Sequence, residues 1–145
     1  MNTFSENSKQ RLETCHRDLR TLFGNVIQDF DCTIVCGHRD KPEQDKAFAE
    51  GKSKLQYPNS KHNSNPSMAV DAAPYIDGKI NWTREQLLFF AGYVKSRADQ
   101  LYKTGVISHR IRLGADFSGD NDVTDEKFRD EPHFELIPNK RDIKI

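Results

Sequence analysis

The sequence predicts an α+β fold, a small and mainly antiparallel sheet packed with helices in a single domain over residues 1–145. Three observations carry this expectation. One long segment repeats apolar residues at helical spacing and a second is bounded by helix start and stop signals, short β-branched or alternating segments are scattered around them, and cap and turn signals separate the two kinds. A chain of 145 residues with 35% hydrophobic content is also long enough for one core, able to bury roughly two-thirds of its unfolded surface.

Taken in order, Leu12, Cys15, Leu19, Leu22, Phe23, Val26, Ile27 and Phe30 form one apolar stripe, which predicts a packed helix from about Ser8 to Asp29. Thr33 to Cys36 is a β-branched run ended by Gly37 and predicts a buried strand. Asp40 and Glu43 have the spacing of a capping box, Pro42 suits a first helical turn and Gly51 a helix end, so a short helix is expected between them. Lys52 to Ser67 has no period, and an irregular loop of this length in a compact domain usually serves a function. Ala69 to Ile76 reads as a strand, and Asp77-Gly78 before Ile80 as the turn of a hairpin. Thr83 and Gln86 have the spacing of a second capping box, with Trp82 and Leu87 as a hydrophobic staple. They open a long helix from Arg84 toward Thr104 that stops at Gly105. Short strands are expected near Ile111–Ala115 and His133–Ile137, on either side of a loop rich in Asp, Asn and Gly.

Composition excludes several classes of protein. With 22 basic and 22 acidic residues, no net field draws the whole chain to nucleic acid or to an anionic membrane. No run approaches the roughly 20 apolar residues of a membrane span, and the opening residues lack a basic segment followed by an apolar core. The expectation is a chain made in a cytoplasm without a signal peptide and not inserted in a membrane. Cys15, Cys32 and Cys36 are an odd count without a paired framework, which suits reduced thiols. If Thr33-Ile34-Val35 is strand, Cys32 and Cys36 share the face of Ile34 and belong in the core.

Two histidines stand in contexts suited to chemistry. His62 lies in the long loop, and nine positions later Asp71 interrupts an apolar strand between Val70 and Ala72. Burying a carboxylate is costly unless it is paired, hydrogen-bonded or bound to a metal; a half-exposed strand with Asp71 facing water is the other reading of that segment. His133 follows Pro132 at a strand start, and alternation puts His133 and Glu135 on one face, Phe134 and Leu136 on the other. Two imidazoles and one carboxylate together make the ligand set of a catalytic zinc ion with a fourth position left for water. Zinc lowers the pKa of that water from about 15.7 toward about 7. Such a site also needs a base, and Asp130 and Glu131 both lie just before His133.

These residues fall in motifs that resemble the zinc peptidase family of D-Ala-D-Ala carboxypeptidases, D-Ala-D-Ala dipeptidases and phage L-alanyl-D-glutamate endolysins. Its S-x-H…A-x-D motif corresponds to Ser60, His62, Ala69 and Asp71, and its carboxylate-x-x-His motif to Asp130 and His133. The chain also carries G-H-R at Gly37 to Arg39, Gln44 and Gly51 in the short helix, A-P-Y and D-G-K-I-N-W within Ala73 to Trp82, and G-A-D at Gly114 to Asp116. The resemblance runs from about Phe4 to Ile137 and is strongest to the single-domain phage branch. It implies a fold like that of hedgehog domains and D,D-peptidases, with Zn2+ held by His62, Asp71 and His133. It further implies Asp130 as general base, Arg39 as the cation that stabilises the oxyanion, and Ser60 as an aid to substrate positioning. The nine-residue interval from His62 to Asp71 is two longer than in many members, and the base is Asp where many have Glu.

The implied function is hydrolysis of peptidoglycan stem peptides by an L-alanyl-D-glutamate endopeptidase for host lysis, with a D-alanyl-D-alanine carboxypeptidase as the alternative. The expected enzyme is a monomer without nucleic-acid partners that is made in the host cytoplasm and acts on the wall in the periplasm, with a pore-forming holin giving access. A metal-dependent nuclease is a rival that neutral charge disfavours, and a non-catalytic zinc-stabilised binding module is one that Asp130 disfavours. His38 is expected to line or pack, His16 and His109 to serve structure. Asp116, Asp120, Asn121, Asp122, Asp125 and Glu126 have oxygens enough for calcium but lack the regular 12-residue spacing, and are read as a solvated loop. Arg110, Arg112 and the lysines near His62 are read as solvated, with attraction to anionic wall polymer as the functional alternative.

Overall fold

A computed structural model describes residues 2–140 and 142. Helices α1 (Glu6–Glu13) and α2 (Arg17–Asp29) lead into strand β1 (Cys32–Cys36) and helix α3 (Lys41–Ala49). A single 3-10 turn (Lys61–Asn63) precedes the hairpin β2 (Ala69–Ile76) and β3 (Lys79–Ile80), then helix α4 (Arg84–Lys103), β4 (Ile111–Leu113) and β5 (His133–Leu136). Every pairing is antiparallel, in the order β1-β2-β5-β4, with β3 added to β2. The α+β class and the antiparallel sheet are therefore as the sequence predicts. None of the described helices is long and apolar enough to cross a membrane.

The core forms where α2 and α4 cover one face of the sheet. Leu19, Leu22, Phe23 and Val26 from α2 meet Phe90, Val94 and Ala98 from α4 over Ile34, Val70, Ala72, Phe134 and Leu136. Phe134 sits at the centre, edge-on to Phe23 at 5.4 Å and to Phe90 at 6.0 Å. Val70 pairs with Phe134 in this core, so the next pair in the ladder, Asp71 and His133, points to the opposite face. The helices thus fill one side of the sheet and leave the middle of the other side for polar groups.

Local signals account for most boundaries. Asp40 accepts from Glu43 N while Glu43 accepts from Asp40 N, completing the expected capping box. Asp77 (φ 53°) and Gly78 (φ 79°) both take the left-handed conformation that a two-residue hairpin requires.

Three local expectations are corrected. The first helix is two, because Thr14 to His16 leave the helical path to pair with the end of the long loop: Ser67 N donates to Thr14 O (2.9 Å) and His16 N to Ser67 O (2.8 Å). His16 then caps α2 through Nδ1, which accepts from Asp18 N at 2.9 Å. Thr83 makes no side-chain cap; its hydroxyl donates to Asn81 instead, and Trp82 stays exposed. Cys36 is not in the core with Cys32, because a register shift between Ile34 and Cys36 breaks the alternation and turns its thiol toward the polar face.

Candidate functional site

Asp71 stands at the middle of the sheet, with Cys36 beside it on β1 and His133 on β5. His62 reaches the same point from the 3-10 turn. Ser60 builds that turn: its hydroxyl accepts from His62 N (3.2 Å), and Asn63 Oδ1 accepts from Ser60 N (3.0 Å). Arg39 N donates to His62 O at 2.8 Å, tying the turn to the segment after β1. Gly37 permits the approach of that segment to α1, since a Cβ there would collide with Arg11 O and the Thr14 hydroxyl.

The two imidazoles meet on one carboxylate oxygen. His62 Nε2 and His133 Nδ1 each lie 3.2 Å from Asp71 Oδ1, and the ring centres are 5.2 Å apart. The far nitrogen of each ring is committed: His62 Nδ1 donates to Gly37 O at 2.7 Å, and His133 Nε2 to Glu135 Oε1 at 2.9 Å. A carbonyl and a carboxylate only accept, so each ring turns its other nitrogen toward Asp71. That is the arrangement in which an imidazole offers a lone pair to a cation while an outer partner fixes its tautomer.

Charge in the site follows from burial and pairing. Burial by itself would lower the pKa of both histidines, but the facing Asp71 outweighs it, lifting His62 to about 10 and His133 to about 9. Burial would raise Asp71, and the two imidazoles instead hold it well below the usual carboxylate range. Asp130 is raised, first by burial and then by the Asp71 charge. Two clusters of possible ligands share Asp71, one with Cys36 and His62 and one with Asp130 and His133. The Cys36 thiol lies 3.9 Å from His62 Nδ1, beside the ring rather than between ring and carboxylate.

A cavity of about 210 Å³ opens onto these groups, lined by Asp130, His133, Phe117 and Phe128 together with Arg39, Lys54, Ser60 and Lys61. Asp130 faces this cavity, whereas Glu131 turns outward to Arg84 at 3.3 Å. Gly114 sets the approach of Asp130, because a Cβ there would run into Asp130 O and the His133 Cβ. Arg39 reaches Asp71 Oδ2 (3.4 Å) and Gln44 Oε1 (3.2 Å). A larger hollow of about 840 Å³ lies along the outer side of α4, where Lys95 and Asp99 simply pair with each other at 3.1 Å.

All six residues singled out for the site therefore converge, and Ser60 is the cap of the turn that carries His62. Two contributors were not assigned a role from the sequence. Gln44 is fully buried, and its amide joins Arg39 and Asn63 to Ser53 and Leu55 O across the long loop. Glu135 holds the outer side of His133 and is itself faced by Arg112 at 3.6 Å. The signal for Glu135 was its shared strand face with His133; the signal for Gln44 was a polar residue among the buried positions of a short helix. His38 packs through Nδ1 against Ser64 O, and His109 bridges Asp18 and Asp142 at 2.7 Å each, away from the cavity.

Fold and site together define a class: a small α+β protein whose cavity ends at imidazoles and carboxylates of the kind that hold a divalent cation. Comparisons with known proteins narrow it. The family model for phage L-alanyl-D-glutamate peptidases matches residues 1–137. The L-alanyl-D-glutamate peptidase of Escherichia phage T5 is 34% identical over 140 residues, covering 92% of this chain and 97% of that protein. The crystal structure of the Serratia marcescens L-Ala D-Glu endopeptidase ChiX superposes with a TM-score of 0.70 at 19% identity, covering 94% of this chain and 91% of that one, and shares the fold. The chain belongs to the phage L-alanyl-D-glutamate peptidase family, and the expected enzyme class, a peptidase, is borne out.

Proposed function

We propose that this chain is a zinc-dependent endolysin that hydrolyses the L-alanyl-D-glutamate bond of peptidoglycan stem peptides, with His62, Asp71 and His133 as metal ligands. The observation that carries it is the meeting of His62 Nε2 and His133 Nδ1 on Asp71 Oδ1 at 3.2 Å each, with both far nitrogens already donating. A mixed nitrogen and oxygen set of three fits zinc with an open position. When bound, zinc supplies a water made nucleophilic near neutral pH and polarises the carbonyl under attack.

The chain's own groups do the rest. Asp130, in the cavity and with a raised pKa, takes the proton of the attacking water and returns it to the departing amine. Arg39 points a fixed cation to where negative charge develops on the carbonyl oxygen, held in place by Gln44. Phe117 and Phe128 stack at 5.6 Å and form an apolar wall along the cavity that takes the substrate. The catalytic unit works as a monomer, is made in the host cytoplasm and reaches the wall in the periplasm through a pore-forming partner.

Digestion of purified peptidoglycan by the zinc-loaded chain, with the new termini identified by mass spectrometry, tests this. New N-terminal glutamate is the expected product. Release of terminal D-alanine would instead establish the carboxypeptidase alternative, and an unchanged wall would refute both.

A further inference from the structure

Resting on the peptidase reading above, we propose that Lys54 and Lys61 form a carboxylate-binding subsite that selects an acidic residue on the amine side of the cleaved bond. Four basic side chains line the cavity that ends at His133: Arg39, Lys52, Lys54 and Lys61. Two are engaged, Arg39 with Asp71 at 3.4 Å and Lys52 with Glu50 at 3.5 Å. The ammonium groups of Lys54 and Lys61 have no carboxylate within ion-pair distance among the described residues.

The cavity is polarised. Its carboxylates, Asp130 and Glu135, lie on or just before β5, and its lysines, Lys52, Lys54 and Lys61, lie on the long loop. An anionic group of the substrate is repelled by the carboxylates and drawn to the lysines. The Lys54 ammonium lies 6.0 Å from the centre of the Phe128 ring, Phe128 stacks on Phe117, and Phe117 leans on His133 at 5.8 Å. A continuous aromatic wall thus connects an unpaired cation to the metal ligand. Lys61 immediately precedes His62, so its side chain leaves from the turn that carries that imidazole.

The substrate chemistry matches. Glutamate has two carboxyl groups, and a chain that continues through one leaves the other free, close to the nitrogen of the cleaved bond. A neutral residue within a continuing chain offers no such charge. The subsite therefore gives the long loop of residues 52–67 the task of choosing which bond enters the site.

The test uses two acetyl-L-alanyl-D-glutamyl peptides continued through one glutamate carboxyl, the other carboxyl being free in one and a primary amide in the second. Cleavage is followed by kcat/KM, and binding to the zinc-loaded full chain by calorimetry. The wild type should prefer the acid by about ten-fold to a hundred-fold, the span of one hydrogen bond to a charged group, and the preference should shrink as salt is raised. In Lys54→Gln and the Lys54→Gln/Lys61→Gln double variant the acid-to-amide ratio of kcat/KM, read within each variant, should fall toward one. Equal treatment of acid and amide by the wild type overturns the subsite, as does full preference in the double variant, which would move the role to Arg39. Charge-selective binding that the variants lose, without cleavage of either peptide, supports the subsite and refutes the peptidase reading.

Discussion

Removing the Glu135 carboxylate should weaken the metal site without unfolding the protein. The carboxylate is largely buried, accepts from His133 Nε2 at 2.9 Å, and lies opposite Arg112 in the β4–β5 ladder. A buried hydrogen bond between charged groups contributes about 1.5–3 kcal/mol, and loss of an outer partner of a metal ligand lowers affinity by about ten-fold to a hundred-fold. The two figures agree, since a factor of ten is about 1.4 kcal/mol. The Arg112 pair adds little, because that side chain is 40% exposed and solvent screens it. Glu135→Ala should therefore raise the zinc Kd by about ten-fold to a hundred-fold, and Glu135→Gln, which keeps an acceptor but not the charge, by about three-fold to ten-fold. Competition with a chromophoric chelator at fixed pH reads these values, and circular dichroism of the metal-free chain checks the fold. A folded Glu135→Ala variant with the wild-type Kd, or a larger effect from Gln than from Ala, would refute the reasoning.

Other outcomes follow from the same geometry. Asp130→Asn should keep zinc and fold while wall digestion falls by about 10²–10⁴-fold; undiminished activity would remove Asp130 from its role. Gly114→Ala should push the Asp130–His133 segment out of place, costing about 1–3 kcal/mol, or roughly 3–12 °C in Tm by calorimetry, with a larger proportional loss of activity than of stability. Zinc must displace the protons that Asp71 holds on His62 and His133, whose pKa values in the metal-free chain are about 10 and about 9. Binding at pH 7 should thus release about two protons, and affinity should rise with pH until it passes those values; proton release in calorimetry across several buffers checks this, and none at all would contradict it. In the metal-free chain the sign is different. The raised histidines stabilise the fold fully below their ordinary value of 6.5 and lose that effect as pH rises through about 9 to 10. The lowered Asp71 stabilises fully above its ordinary 3.8 and loses that effect in acid. Chelator-treated protein should accordingly be best stabilised by this cluster between those two ordinary values, and urea titrations at stepped pH would show a flat response if the cluster contributes nothing.

Much of the fold was legible because its signals are local. The capping box at Asp40, the Asp77-Gly78 turn and the helix stop at Gly105 each act within a few residues, and each element lies where its signal placed it. Candidate ligands were legible as residue types out of place, a carboxylate between Val70 and Ala72 and a histidine after Pro132. The break at Cys15, by contrast, depends on Ser67, more than fifty residues further on, and a stripe of apolar residues reads the same whether or not the backbone between two turns is lent to another segment.

What the sequence determined alone was the class of fold, most boundaries of its regular elements and a short set of chemically apt side chains. Tertiary structure decided how those side chains are used. The antiparallel register sets Asp71 against His133, the bulge in β1 takes Cys36 out of the core, and the turn at Gly114 brings Asp130 into the cavity while Glu131 faces Arg84. It also chose which nitrogen of each imidazole faces Asp71. The reason is physical: helix and turn propensities act over neighbouring residues, whereas these choices come from strand pairing and hydrogen bonds that close only when distant segments have packed.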